Sequence, residues 1–473
     1  MYIHIRFVLK KIMAITISSK IIYPRLSILR GCISVMVLCC FNACFVMENH
    51  YTAVAPGVWR AVLQLSPKEI VLNNNQRIRT VRQYFTQKNS AEPQPVKIEE
   101  ATEGELPFTI EVKYSDENTF AMEIINGEER IPIPASDIKI GRDKATAKDT
   151  ILINFPIYGS YIRAVFQERV MEGEWVVPAK KQSIPFNARY AESYRFTNLK
   201  KQPIADLTGQ WECNFDIGKD KPYKAVGEFK QAGNILRGTF RTETGDYRYL
   251  DGTIQANKLY LSCFDGAHAF LFEGKISPEG TILGLFRSSR NTEELWEAKR
   301  NPTFELKNAE TITTLKNADN AINFSFPNTE GKNVSLNDYD GKVKIVQIMG
   351  TWCPNCRDET KFLTEYLKGS NNVAVIALAF ERNADIAKNQ LITYKEKMNV
   401  PYQILLAGTS TNKEESAKAL PWLNQVAAFP TMIFIDKKNK VRKIHTGFDG
   451  PATSKYVDFK KEFDEFVKKL LAE

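Results

Sequence analysis

A chain of 473 residues with 43% hydrophobic and 25% charged side chains is longer than one core needs, and ordinary domain sizes divide it into about two to four units. Its formal net charge of +9 comes from lysines and arginines scattered among nearly as many acids. With no long basic block, the charge reads as a solvated surface and excludes a nucleic-acid partner.

The N-terminus departs from that average. Arg6, Lys10, Lys11, Lys20, Arg25 and Arg30 precede the apolar run CISVMVLCCFNAC, a basic region followed by a hydrophobic one too short for a comfortable membrane span. The run ends in Phe41-Asn42-Ala43-Cys44, which resembles a bacterial lipobox. Residues 1–44 are therefore expected to be a signal or lipoprotein leader, with Cys44 lipidated and tying the chain to a membrane surface. Phe41 stands where Leu is favoured, so a plainly cleaved signal and a retained anchor stay open, and Met13 is an alternative start. Cys32, Cys39, Cys40 and Cys44 lie in this leader. Export would leave Cys213, Cys263, Cys353 and Cys356 in an oxidising compartment, where an unpaired thiol needs a reason to exist.

Residues 45–200 show a period of two, as in FTIEVKY, FAMEII and YIRAVFQERV, which predicts an antiparallel β-rich domain, taken as a sandwich. Residues 201–303 carry a loose repeat, GEFKQAGNILRGTF, GTIQANKLYLSCF and GKISPEGTILGLF. Each copy is a strand, a Gly/Asn-type turn and a return strand, so the segment reads as hairpins in a meander or a calycin-like barrel. Cys213 alternates with Trp211 and Phe215, and Cys263 with Leu259 and Leu261, which points both thiols to the apolar face of their strands. They are expected as buried thiols or one structural disulfide, exchange with the downstream pair being the alternative.

A polar linker is expected over 304–322. Beyond it, residues 323–473 alternate short apolar strands (KVKIVQIM, VAVIALAF, YQILLA, TMIFID) with helical stretches after Pro354, near Ala384–Lys397 and near Glu414–Asn424, and end in an amphipathic helix. That order predicts an α/β domain with a sheet covered on both faces. The closing strand pair, MIFIDKKNKVRKIHTG, gives the sheet an antiparallel edge.

The stretch GTWCPNCRDE follows a buried strand and opens a helix. With Pro354 at the first helical position, Cys353 sits at the helix N-terminus, where unpaired N–H groups and the dipole favour a thiolate. Cys353 is then the attacking sulfur and Cys356, three residues on and on the same face, the resolving one. A zinc site needs about four ligands and this motif supplies two, His268 and His445 not being in ligand spacing, so no metal is expected. Glu359 lies on the apolar stripe of the same helix. Either it pairs with a cation at the edge of that face, or its raised pKa lets it exchange protons with Cys356.

Residues 323–473 resemble the thioredoxin superfamily, and within it the TlpA/ResA-like exported thiol-disulfide oxidoreductases. NVSLNDYDGKVKIVQIMGTWCPNCRDE follows their order of strand, G-K-V, strand and G-T-W-C-x-x-C, and AFPTMIFID their later segment. The resemblance implies a cis-proline at Pro430, with the backbone of Phe429 and the side chain of Trp352 beside it for an extended substrate. It also implies the proton-exchange role for Glu359, a redox-active disulfide between Cys353 and Cys356, and a membrane electron donor of the DsbD/CcdA type. The β-rich region and the ending RKIHTGFDGPATSKY look like larger envelope proteins of Bacteroidetes-type bacteria.

These relatives commonly carry proline immediately before the second cysteine, whereas this chain has Pro354-Asn355, which leaves the direction of exchange open. The leading expectation is a periplasm-facing, lipid-anchored reductase of protein disulfides without cofactor. The opposing one is a cell-envelope binding protein whose β domains do the main work. A peroxidase is disfavoured because Thr351 is not in P-x-x-x-T-x-x-C spacing, and no C-x-x-C-H is present to hold haem.

Overall fold

The computed structural model of the protein describes residues 54–65, 102–289, 292–317, 322–370, 372–410 and 412–473. The leader and Cys44 lie outside the described residues.

The first sheet holds nine strands: β1 (Gly57–Gln64), β2 (Glu105–Tyr114), β3 (Phe120–Asn126), β4 (Glu129–Ile133), β5 (Ile138–Arg142), β6 (Asp149–Phe155), β7 (Ser160–Gln167), β8 (Val170–Val177) and β9 (Gln182–Tyr190). They hydrogen-bond in one continuous order, β4-β3-β2-β1-β9-β8-β7-β6-β5. This corrects the expected sandwich, which would need two sheets. The reason is β1, whose antiparallel partners are β2 on one edge and β9 on the other, so the two halves of the segment are joined through it. Alternating burial along β7 and β9 is the period of two read from sequence.

The next nine strands are β10 (Gly209–Phe215), β11 (Tyr223–Ala232), β12 (Ile235–Thr242), the two-residue β13 (Gly245–Asp246), β14 (Leu250–Gln255), β15 (Lys258–Phe264), β16 (Ala269–Ile276), β17 (Ile282–Ser288) and β18 (Thr292–Arg300). Pairing of β11 with both β10 and β12 closes eight of them into a barrel. The three repeat copies are the hairpins β11–β12, β14–β15 and β16–β17. Inside, Phe215 contacts Tyr223, Phe240, Tyr247, Phe272, Phe286 and Trp296, so side chains fill this part of the interior.

Strands β15 and β16 are buried on both faces. Leu261, Cys263, Phe270 and Phe272 point into the barrel, while the intervening Phe264 and Leu271 complete the core of the first sheet. Arg195 pins the same seam, donating to the Ile125 carbonyl at 3.0 Å on the sheet side and to the Ser262 carbonyl at 2.9 Å on the barrel side.

Within the expected linker, residues 304–317 run along the following α/β domain, with Thr313 buried and Leu315 bridged to Leu423. A short pair, β19 (Ser325–Pro327) and β20 (Asn333–Ser335), precedes β21 (Val343–Met349), α1 (Pro354–Lys368), β22 (Val373–Phe380), α2 (Ala384–Lys397), β23 (Gln403–Gly408), α3 (Lys413–Ala419), β24 (Thr431–Ile435), β25 (Val441–Thr446) and α4 (Tyr456–Ala472). The sheet order is β23-β22-β21-β24-β25, parallel through β21, β22 and β23 and antiparallel at β24 and β25. Val343 and Ile345 join one core and Val346 and Ile348 the other, so both faces are covered. The helix expected near Glu414–Asn424 stops at Ala419. Pro421 lacks an N–H and disfavours helical geometry at Leu420, whose ψ is 64°.

Candidate functional site

Strand β21 is buried along its whole length and delivers the chain through Gly350-Thr351-Trp352 to the start of α1. Cys353 is the N-cap of that helix, in extended geometry (φ −103°, ψ 111°), with Pro354 behind it. Its Sγ accepts the Cys356 amide at 3.2 Å, so the helix N-terminus directs a donor at the sulfur that would carry charge. The Cys353 thiol in turn donates to the Phe429 carbonyl at 3.4 Å. The Phe429–Pro430 peptide is cis. Trp352 donates its indole N–H to the Phe380 carbonyl at 2.8 Å and meets the Phe429 ring edge-on at 5.4 Å.

Cys353 keeps 7% of its surface and Cys356 none. Burial, and after it the adjacent Cys353 sulfur, pushes the Cys356 thiol well above its ordinary range. Glu359 is also fully buried, and neither carboxyl oxygen has a hydrogen-bond partner among the described residues. Burial pushes its pKa up to about 8, the nearby Gln347 amide opposing and Cys353 adding. The edge-cation alternative for Glu359 is thus not what the structure contains. Beside it runs a buried polar network in which Tyr402 donates to Gln347 at 3.3 Å and Tyr394 to Thr360 at 2.9 Å.

The fold brings Trp352, Cys353, Cys356, Glu359, Phe429 and Pro430 to one place. Cys213 and Cys263 are buried free thiols in the barrel core, a cluster separate from the one holding Cys353 and Cys356. Among the described residues no three His, Cys, Asp or Glu side chains converge as a metal site.

Sequence reasoning missed Glu381 and Arg382. Glu381 accepts the Thr351 amide at 2.9 Å and the Thr351 hydroxyl at 2.7 Å, and burial raises its pKa to about 7. Arg382 lies 4.7 Å above the Trp352 ring, a cation–π contact. The available signal was position: both immediately follow β22, at the carboxyl ends of parallel strands where α/β sites gather.

A strand–C-x-x-C–helix unit facing a cis-proline on a mixed five-stranded sheet is the architecture of a thioredoxin-like domain, and the family and curated-sequence comparisons agree. The Redoxin family matches residues 316–458. "Thiol-disulfide oxidoreductase ResA" of Bacillus thuringiensis subsp. konkukian is 30% identical over 152 residues, 32% of this chain and 76% of that protein. "Thioredoxin-like protein YneN" of Bacillus subtilis is 24% identical over 151 residues, 32% of this chain and 81% of its own. A solved thiol:disulfide interchange protein of the thioredoxin family from Chlorobium tepidum TLS is 23% identical and covers 32% of this chain and 94% of itself, with a TM-score of 0.26. The chain belongs to the thioredoxin superfamily. Within it, the chain is a TlpA/ResA-like thiol-disulfide oxidoreductase.

Proposed function

We propose that this enzyme is exported and reduces protein disulfides through Cys353 and Cys356. The observation that carries the reading is the asymmetry of the pair: a helix amide aimed at Cys353, and beside it a Cys356 thiol raised by burial. The Cys353 thiolate attacks one sulfur of a substrate disulfide, forming a mixed disulfide and releasing one substrate thiolate. Cys356 gives its proton to ionised Glu359 and attacks the Cys353 sulfur, releasing the second substrate sulfur as a thiolate. The substrate has gained two electrons and the enzyme holds a Cys353–Cys356 disulfide. Trp352, Phe429 and Pro430 border the attacking sulfur and would receive an extended substrate segment.

A membrane donor of the DsbD/CcdA type would re-reduce the pair, and lipidation at Cys44 would hold the chain at the envelope, facing the periplasm. Among the described residues no helix is long and apolar enough to cross a membrane. We read the domains as 45–200, the calycin-like barrel 201–303, and the catalytic 323–473. The test is a Cys356→Ser variant of the full chain, expected to accumulate mixed disulfides on Cys353 with its substrate proteins. If none form while Cys353 stays reactive toward a small disulfide, the reductase reading is wrong.

One observation favours the second reading, a binding protein with an accessory redox domain. A cleft of about 340 Å³ opens between sheet and barrel, lined among others by Arg60, Phe196, Lys201 and Tyr260. Turnover of insulin disulfides by the full chain would count against that reading.

A further inference from the structure

The β-rich region does more than accompany the redox domain, because it sits against the residues next to the dithiol. Asn355, between Pro354 and Cys356, donates through Nδ2 to the Asp246 carbonyl at 3.2 Å. Gly245 passes so close that a Cβ there would lie 2.1 Å from Asn355 Nδ2, and its φ of +141° is a conformation that side chains disfavour. The same barrel hairpin, β12–β13, continues onto the loop after β25, where the Gly450 amide donates to Asp246 Oδ2 at 3.0 Å.

The first sheet closes in from a second direction. Arg357 donates to the Tyr158 hydroxyl at 3.3 Å, Gln390 donates to the Pro156 carbonyl at 3.2 Å, and Ile157 packs on the core that contains both cysteines. Arg248 of the barrel, 1% exposed, ties the pieces together by pairing with Asp358 of α1 and, at 2.7 Å, with Glu129 of the first sheet. Pro354, Arg357 and Asp358, in the opening turns of an active-site helix, are all buried as a result. The opposite flank, at Trp352, Arg382 and Phe429, is only half covered.

We propose that the barrel hairpin and the 156–158 loop form a specificity collar that closes one flank of the dithiol. Disulfides then reach Cys353 only from the Trp352 side. The collar excludes a disulfide on a broad folded surface and admits small disulfides and disulfides in extended, unfolded segments. This rests on the reading of Cys353 and Cys356 as a thiol-exchange pair, and it adds the class of substrate.

The test measures access to Cys353 in the reduced full chain, with mass mapping of the labelled site. N-ethylmaleimide should react readily, and a bulky polyethylene-glycol maleimide at least about tenfold more slowly relative to it, because the bulky reagent waits for local opening. Gly245→Val, which pushes the hairpin off Asn355, and Tyr158→Ala should each bring the two rates together. They should also speed reaction with a folded disulfide protein more than with a small aromatic disulfide. The wild-type ratio needs no variant, so it decides the matter even if a variant misfolds: equal rates for the small and bulky reagents in the wild type overturn the collar. An unchanged ratio in both folded variants overturns it as well. Failure of the small disulfide to react at all would overturn the thiol-exchange reading instead, and the maleimide ratio would still decide the collar.

Discussion

Replacing Glu359 by Gln separates two consequences of burying an acid. Its pKa rises from an ordinary 4.5 to about 8, mainly through burial. In the unfolded chain the group ionises near 4.5, so between the two values the unfolded state has released a proton that the folded state keeps. Stability therefore falls as pH rises from about 4.5 to about 8, and below that window the group has no effect. At about pH 7 the gap of roughly two and a half pH units, at ~1.4 kcal/mol each, makes the buried acid cost about 3 kcal/mol. Glu359→Gln, similar in shape and never ionised, should recover a stabilisation of that order near neutrality and none near pH 4. The kinetic effect runs the other way. Without a proton acceptor beside Cys356, exchange should slow on the order of a hundredfold and lose its rise with pH toward 8. Denaturant midpoints of wild type and variant at about pH 4, 6 and 8, with stopped-flow oxidation of the reduced proteins by a small disulfide, measure both. Parallel pH profiles of stability would refute the buried, raised acid. A stabilised variant with unchanged exchange would refute the proton-transfer role and leave the burial argument standing.

Arg248→Ala removes the guanidinium that pairs with the buried carboxylates of Glu129, Asp265 and Asp358, and although His268 and Lys361 remain beside the last two it should cost about 3–5 kcal/mol by denaturant unfolding; a loss under about 1 kcal/mol would mean that water replaces the guanidinium. Phe215→Ala empties the centre of the barrel's aromatic cluster and should cost about 3–5 kcal/mol by the same measurement. Gly252→Ala would place a Cβ 1.8 Å from the Tyr260 carbonyl oxygen and should lower the thermal midpoint through a loss of at least about 1–3 kcal/mol.

The α/β domain was the most legible part of the sequence, because its strands are continuous apolar runs and its redox motif spans few residues. VAVIALAF and KVKIVQIM admit little other than buried strands, and Pro354 marks the start of α1 by its own geometry. The end of α3 was misplaced because helical periodicity continued past Ala419, and only the preference of the residue before Pro421 opposed it. The single nine-stranded sheet was hidden for a different reason. Alternation shows which side of a strand is buried but not which strands are neighbours, and β1 pairs with β9 across more than a hundred residues. At the site, the dithiol and Glu359 share one helix and one local pattern. Glu381 reaches Thr351 only through the crossover from β21 to β22, and Asn355 meets Asp246 only through the packing of distant segments. Contacts of that kind leave no local periodicity to read.

The seam between sheet and barrel also bears on the order in which the molecule is made. The last strand of the first sheet ends at Tyr190, yet Phe264 and Leu271, which finish its core, belong to β15 and β16. A chain that emerges amino-terminus first, on the far side of the membrane it is proposed to cross, therefore holds every strand of the sheet but keeps an apolar face open until roughly eighty further residues have followed. A nascent chain halted in that interval would present the greasy trough of the sheet with nothing to fill it, the moment at which a chaperone has most to hold.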